Sequence, residues 1–304
     1  MIDLGDTRLL IVAGKGGVGK TTVAAVAAEW ARRAGRRVCL VDIEGRPGLG
    51  AFFGHGGVLS YEPMTLADGL TGRSIAPDRA LVEYLDDHGL RRFSKRLVQS
   101  GALEVIATGA PGLRDILVLG KLKQMALGDS FDLVIVDSPA SGHAVSFLLS
   151  PRGLLDAVRG GPVRAQAEDV LTLLSDHSRC KAVLVALAEE TPINETIETA
   201  EALRTRIDIE VAGVVVNQVL GGADLLELSL DGIELPSAER LALNAAAEYT
   251  KQRVRDQRVQ IGRLGALPAI ELPDTAEPLL DPLVRAFSAG MVELAAAIQA
   301  EGSR

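Results

Sequence analysis

Short apolar runs rich in β-branched residues alternate along the chain with longer segments in which apolar residues recur every three or four positions. The runs lack polar alternation, which is typical of parallel strands with helices on both faces of the sheet. The pattern predicts an α/β fold whose strands are joined by crossover helices. The predicted strands are RLLIVA ending at Ala13, RVCLV ending at Val41, LEVIA ending at Ala107, DLVIV ending at Val136, AVLVALA ending at Ala188, AGVVV ending at Val216 and AIEL ending at Leu272.

Several helices can be predicted from the same pattern. Apolar residues at helical spacing follow Val23 and include Trp30, which we expect to pack in the core, and Gly35 is placed to end this helix. Helical patches also cover residues 78–88 and 91–100. One long helix is predicted over residues 237–264, and an apolar helix closes the chain.

We interpret residues 1–304 as a single domain with two helical insertions, at approximately 55–130 and 151–180. Glycine and proline interrupt the first region repeatedly, and the second contains two helical segments broken at Gly160, Gly161 and Pro162. The expected architecture is a parallel-sheet core covered by helices on both faces, with a small inserted helical subdomain.

Composition excludes several classes of protein. The net charge is -8 and the pI is near 5.2, so the strongly basic surface of a nucleic-acid-binding domain is not expected. No run approaches the roughly 20 apolar residues that span a bilayer, and stable membrane insertion is not expected. Only Cys39 and Cys180 are present, too few for a disulfide framework, and the N-terminus lacks a signal-peptide pattern. We expect a cytoplasmic protein.

The first predicted strand is followed by a phosphate-binding loop pattern, Gly14-Lys15-Gly16-Gly17-Val18-Gly19-Lys20-Thr21, and then by Thr22 and a helix. Glycines allow a tight turn whose N–H groups face phosphate oxygens, and the helix adds the positive end of its dipole. Lys20 is predicted to contact the β- and γ-phosphates, and Thr21 to ligate Mg²⁺.

The same glycines also satisfy the dinucleotide pattern G-x-G-x-x-G, with Asp42 where a ribose-binding acid would lie. Lys20 and Thr21 after the last glycine, and Asp137 at the end of a later strand, favour a triphosphate instead. We predict that Asp137 lies near Mg²⁺. Asp42 has the same predicted role, although capping of a turn would explain it nearly as well.

The loop GKGGVGKTT contains an additional lysine, Lys15, and therefore resembles the deviant Walker A loop of the SIMIBI class of P-loop NTPases. Within that class the chain resembles the family of ArsA and the tail-anchored-protein-targeting ATPase, and in particular its bacterial anion-transporting ATPase-like branch. The segment FDLVIVDSPASGHAVSFLLSP, which contains Asp137 and His143, is similar to the family's switch II. The resemblance implies binding of ATP and Mg²⁺, ATP hydrolysis, and a dimer in which Lys15 contacts the partner's nucleotide.

Other site residues are implied by the resemblance alone. Asn217 and Gln218 match the positions that contact adenine, and Pro273 and Asp274 match the loop that closes over the base. Glu44 stands where the family has the switch I aspartate that orients water, so hydrolysis is expected to be slow. His143 would either sense the γ-phosphate or cap its helix.

Two departures from the family bear on assembly. The zinc-binding Cys-x-x-Cys and the metalloid-binding cysteine cluster are absent, and the chain has one nucleotide loop where ArsA has two. Oligomerisation would therefore supply the second half of the site, in a homodimer or in a heterodimer with a paralogue.

The sequence thus predicts a Mg-ATP-dependent dimeric ATPase that acts on a helical or hydrophobic protein client. Two alternatives stay open: an ATP-binding regulatory subunit with little hydrolysis of its own, and a positioning ATPase like ParA or MinD. A basic cluster lies on a predicted helix and comprises Arg91, Arg92, Lys95 and Arg96. We interpret it as a solvated helix face rather than as a contact with a membrane surface or client.

Overall fold

The fold is described from a computed structural model. It covers residues 4–43, 45, 47–87, 89, 91–92, 95, 112–221, 236–275 and 280–301. For residues 87, 140, 141 and 292–301 the description is limited to the backbone. The predicted strand ending at Ala107 and most of the predicted helix over 91–100 lie outside the described residues, as does Glu44.

A single sheet of eight strands forms the centre of the described structure, in the order β3-β4-β2-β5-β1-β6-β7-β8. Neighbouring strands are parallel except for the antiparallel pair β3 and β4. The strands are β1 (Leu9–Gly14), β2 (Val38–Asp42), β3 (Met64–Ala67), β4 (Leu70–Ser74), β5 (Leu133–Ala140), β6 (Cys180–Leu187), β7 (Glu210–Val219) and β8 (Ala269–Pro273).

Eight α-helices are found in the described residues, together with a 3-10 turn at Gly50–Phe53 and a π turn at Leu203–Ile207. The helices are α1 (Lys20–Arg33), α2 (Pro77–Asp87), α3 (Leu113–Leu127), α4 (Ser141–Ala157), α5 (Pro162–Leu174), α6 (Glu190–Ala202), α7 (Ser237–Gly262) and α8 (Leu280–Glu301). Gly35, with φ of 85°, follows the end of α1 as the glycine pattern predicts.

Both faces of the sheet are covered by helices. Helices α1 and α8 pack on one face, and α2 to α6 contribute to the core on the other. Strand residues such as Val12, Leu40 and Ile135 are fully buried because they lie between these layers. The predicted α/β class, with a mostly parallel sheet between two helical layers, is confirmed.

Three elements differ from the sequence pattern. Strands β3 and β4 lie within residues 55–130, where the pattern predicted helical segments and one strand ending at Ala107. They were not predicted because they are short and carry few β-branched apolar residues. Helix α4 begins at Ser141 and continues through Pro151, where the pattern placed the start of an insertion. Within the described residues, no helix is both long enough and apolar enough to cross a bilayer.

The closing helix α8 is anchored through one aromatic contact. Phe287 is 1% exposed, and its ring meets that of Trp30 on α1 edge to face, with centroids 5.8 Å apart. Leu283 and Val284 of α8 are also buried on this face. The predicted packing role of Trp30 therefore fits its position, since it joins α1 to the C-terminal helix.

Truncation of this anchor should destabilise the fold. We expect Phe287→Ala to lower the free energy of unfolding by about 3 to 5 kcal/mol, since it removes a buried ring and leaves a cavity. Urea unfolding followed by circular dichroism measures the change. Arg285→Ala, at an exposed position of the same helix, is the control and should change the value by less than about 0.5 kcal/mol. Equal effects of the two substitutions would contradict this packing.

Candidate functional site

The loop between β1 and α1 has a backbone that only glycine accommodates at one key position. Gly19 has φ of 93°, and a Cβ placed on it would lie 2.2 Å from Asn217 Nδ2. The Asn217 amide donates a hydrogen bond of 3.0 Å to the carbonyl of Val18. The turn is therefore tight because its glycine lets the loop approach β7, and Asn217 then holds the loop in place.

Two polar side chains at the start of α1 face the carboxyl edge of the sheet. Lys20 is 9% exposed, and its Nζ donates to the carbonyl of Lys15 at 3.1 Å. The Thr21 hydroxyl donates to Asp137 Oδ2 at 2.7 Å. The ammonium and the hydroxyl are thus held in defined positions beside the N-terminus of α1, where the helix dipole favours anions.

Asp42 and Asp137 are neighbours in the sheet. They lie in register on the adjacent parallel strands β2 and β5, so their side chains leave the same face. Asp42 is 3% exposed. Ser138, next to Asp137, donates to the carbonyl of Val12 at 2.7 Å and ties β5 to β1. Two carboxylates therefore meet at the carboxyl edge, the usual location of ligand sites in open α/β sheets.

These groups surround one cavity of about 250 Å³. Its lining combines loop glycines, one cation, two hydroxyls and two carboxylates, and consists of Gly17, Gly19, Lys20, Thr21, Asp42, Pro47, Leu49, Asp137 and Ser138. Among the described residues no group of three or more His, Cys, Asp or Glu side chains could hold a metal ion. The polar groups that line the cavity suit a Mg²⁺ ion bound through few protein ligands, because that ion usually keeps water and phosphate oxygens as its other ligands.

The four residues predicted to contact adenine or to close over it lie on β7, on β8 and directly after β8. Asn217 and Gln218 lie near the end of β7, and Val219, its last residue, pairs with Pro273 of β8. The Asp274 N–H donates to the Val219 carbonyl at 2.9 Å. Their contact with adenine stays a prediction, and the one side-chain contact described for Asn217 is with the loop.

Gln257 of α7 is a positioning residue that the sequence pattern did not reveal. It is 7% exposed, accepts from the Leu220 N–H at 2.9 Å and donates to the Gln218 carbonyl at 3.1 Å. Because Gln218 has φ of 57°, these two bonds hold a loop with an uncommon backbone conformation. A glutamine in a charged helix carries no signal that would have predicted this contact.

Lys15 and Lys20 point to different places although they belong to one loop. Lys15 Nζ lies 2.6 Å from Glu195 Oε1 on α6, and Lys15 is not among the described residues that line the cavity. Lys20 therefore supplies the side-chain cation of the cavity, and the charge of Lys15 is compensated outside it.

The remaining candidates have simpler environments. His143 is exposed in the first turn of α4, and Arg91, Arg92 and Lys95 are exposed. Glu44 and Arg96 lie outside the described residues. Cys39 and Cys180 are buried, and burial raises the pKa of the Cys39 thiol to about 12. Cys39 therefore stays protonated and packs as a small apolar residue.

A second cavity, of about 420 Å³, lies among α2, α3 and α5. Both lysines of its lining are paired, Lys121 with Glu83 and Lys123 with Asp169, each at 2.5 Å. This second cavity lacks glycine-rich backbone at a helix start. Of the two cavities, the 250 Å³ cavity is therefore the one with features that suit phosphate binding.

Comparison with known proteins identifies the family of the chain. The family described as anion-transporting ATPase matches residues 7–159. The ATPase BagA of Mycobacterium tuberculosis is 33% identical, and the match covers 90% of this chain and 89% of that protein. The arsenical pump-driving ATPases of Escherichia coli and Acidiphilium multivorum are 25% and 26% identical, over 71% of this chain and 40% of each of those proteins. The chain therefore belongs to the ArsA-like family of anion-transporting ATPases, and it is an ATPase.

Proposed function

We propose that the protein is a Mg-ATP-dependent ATPase that turns over as a dimer and uses its switch segments to act on a protein or hydrophobic client. The observation that carries the proposal is the cavity at the β1–α1 loop. There Lys20, Thr21 and the aspartates 42 and 137 converge at a helix N-terminus. Such a site binds phosphates and a hard divalent cation together.

Several residues at this site have separate proposed roles in ATP hydrolysis. In the reaction, a water oxygen bonds to the γ-phosphorus, the bond to the ADP oxygen breaks, and ADP and phosphate leave. Lys20 and the loop N–H groups offset the negative charge on the phosphates, and Thr21 with Asp137 would hold Mg²⁺. The ion, when bound, neutralises charge on the phosphate oxygens. Glu44 is the proposed water-orienting acid, from its match to the switch I position.

The dimer is proposed because the site of one chain has one lysine in the cavity and a second outside it. Lys15 is 38% exposed, so a second copy or a paralogue can reach it. In the resembling family this lysine contacts the partner's nucleotide. By the same resemblance, the client would be moved by nucleotide-dependent changes in switch I and switch II.

Lys15→Ala tests the dimer directly. We expect nucleotide binding to a single protomer to persist while phosphate release falls by about 100-fold, as for removal of one transition-state donor. Phosphate release per protomer is measured across protein concentrations with saturating MgATP, and binding is measured by calorimetry. A Lys15→Ala rate equal to that of the wild type would contradict the cross-subunit role.

The same assays separate the alternatives. Phosphate release that appears only after a paralogue is added would indicate the regulatory subunit. ATP-dependent sedimentation with DNA or liposomes would indicate a positioning ATPase, which the net charge of -8 disfavours for DNA.

A further inference from the structure

The Lys15–Glu195 pair joins two elements that the topology places side by side. β1 and β6 are adjacent and parallel, with Gly14 in register with Val185. Lys15 follows β1 directly, and α6 follows β6, so both begin at the carboxyl edge of the sheet. The 2.6 Å contact between residues 180 positions apart is a consequence of this neighbouring placement.

The pair has the properties of a contact that can be exchanged. Both side chains are partly exposed, Lys15 by 38% and Glu195 by 35%. Separation leaves neither charge buried, so breaking the pair costs little. The buried face of α6 is formed by neighbours such as Ile193 and Thr196, and the helix therefore stays in place when Glu195 loses its partner.

The pair also directs the two lysines of the loop to different places. Lys20 donates to the carbonyl of Lys15, so the loop is closed on itself, while the Lys15 side chain is directed to α6. Within one protomer Glu195 compensates the charge of Lys15 away from the cavity. A triphosphate presents several negative charges where Glu195 presents one, and it would compete for Lys15 when it approaches from a second copy.

We propose that Glu195 is a positioning residue for ATP hydrolysis: it holds Lys15 in the free protomer and releases it to the phosphates bound by a second subunit. This inference rests on the proposed dimeric function. Glu195 thereby restrains dimer formation, because each protomer must give up this ion pair as the dimer assembles.

Glu195→Gln should favour the active dimer. An exposed ion pair changes an equilibrium constant by up to about fivefold, and two are released per dimer, so the association constant should rise by up to about 25-fold. Phosphate release per protomer is measured against protein concentration with saturating MgATP. We expect half-maximal activity at a lower protein concentration than in the wild type, with little change in the plateau.

Glu198→Gln is the matched control, since Glu198 is exposed on the same helix one turn later. Its curve should superimpose on that of the wild type. Thermal unfolding of both variants checks that α6 is intact. A Glu195→Gln curve that coincides with the wild-type curve, or that shifts to higher protein concentration, would overturn the inference.

A double-substitution cycle tests whether Glu195 acts through Lys15. In the Lys15→Ala background, Glu195→Gln should have no further effect on turnover. The exchanged pair Lys15→Glu with Glu195→Lys should not regain phosphate release, because its lysine then lies on α6 and not in the loop, whereas wild-type turnover in this variant would show a purely structural pair. The wild-type curve reports on the proposed function separately: a rate per protomer independent of concentration would refute the association step, and this inference with it.

Discussion

Lys20→Ala is expected to abolish ATP binding, with an affinity loss of at least about 100-fold. Lys20 is the cation that lines the 250 Å³ cavity, and it is 9% exposed beside the N-terminus of α1. Charge-assisted hydrogen bonds to phosphate oxygens contribute about 1.5 to 3 kcal/mol each, and the lysine can make more than one. Alanine favours helix, so α1 should form normally without the ammonium.

Calorimetric titration with ATP and Mg²⁺ measures this loss. Lys15→Ala is the matched control because it removes the other loop lysine, whose charge is compensated by Glu195 outside the cavity. We expect the control to retain most of the binding heat. Equal losses in the two variants would contradict the different roles proposed for Lys15 and Lys20.

Asp137→Asn should strongly reduce turnover while nucleotide still binds. The amide oxygen can accept the Thr21 hydroxyl as Asp137 Oδ2 does at 2.7 Å, but the negative charge next to Asp42 in the sheet is lost. Since Mg²⁺ depends on carboxylate charge, we expect weaker binding of the ion and a fall in phosphate release of about 100-fold.

A Mg²⁺ titration of phosphate release checks this expectation, together with nucleotide binding in the presence and absence of the ion. Asp132→Asn is the control. Asp132 lies just before the opposite end of β5 and pairs with Arg37 at 2.7 Å, partly exposed. This control should keep the wild-type rate. Full activity of Asp137→Asn at low Mg²⁺ would rule out the proposed ligand role.

Strands buried on both sides were the easiest elements to predict. Runs such as those ending at Val41 and Val136 need no alternation because helices cover both faces, and the structure places them in β2 and β5. β3 and β4 were missed because a strand that pairs at the sheet edge is stabilised by its neighbour more than by its own residues. Local composition in that region predicted turns and helices instead.

Part of the candidate site could be predicted because its chemistry is local. The loop from Gly14 to Thr21 is contiguous, and an acid at the end of a buried strand is conspicuous, as Asp137 is. Gln257 and Glu195 could not be found in this way. Their partners are about 40 and 180 positions distant, and glutamine or glutamate on a polar helix is ordinary in sequence.

By itself, the sequence determined the class of fold, the phosphate loop and the family, because hydrophobic period and glycine spacing act over a few residues. Only the tertiary structure decided which side chains meet across the carboxyl edge. It placed Asp42 beside Asp137 in the sheet, brought the Asn217 amide into a hydrogen bond with the loop and paired Lys15 with Glu195. The physical reason is strand order: residues far apart along the chain become neighbours when β2, β5, β1, β6 and β7 lie side by side.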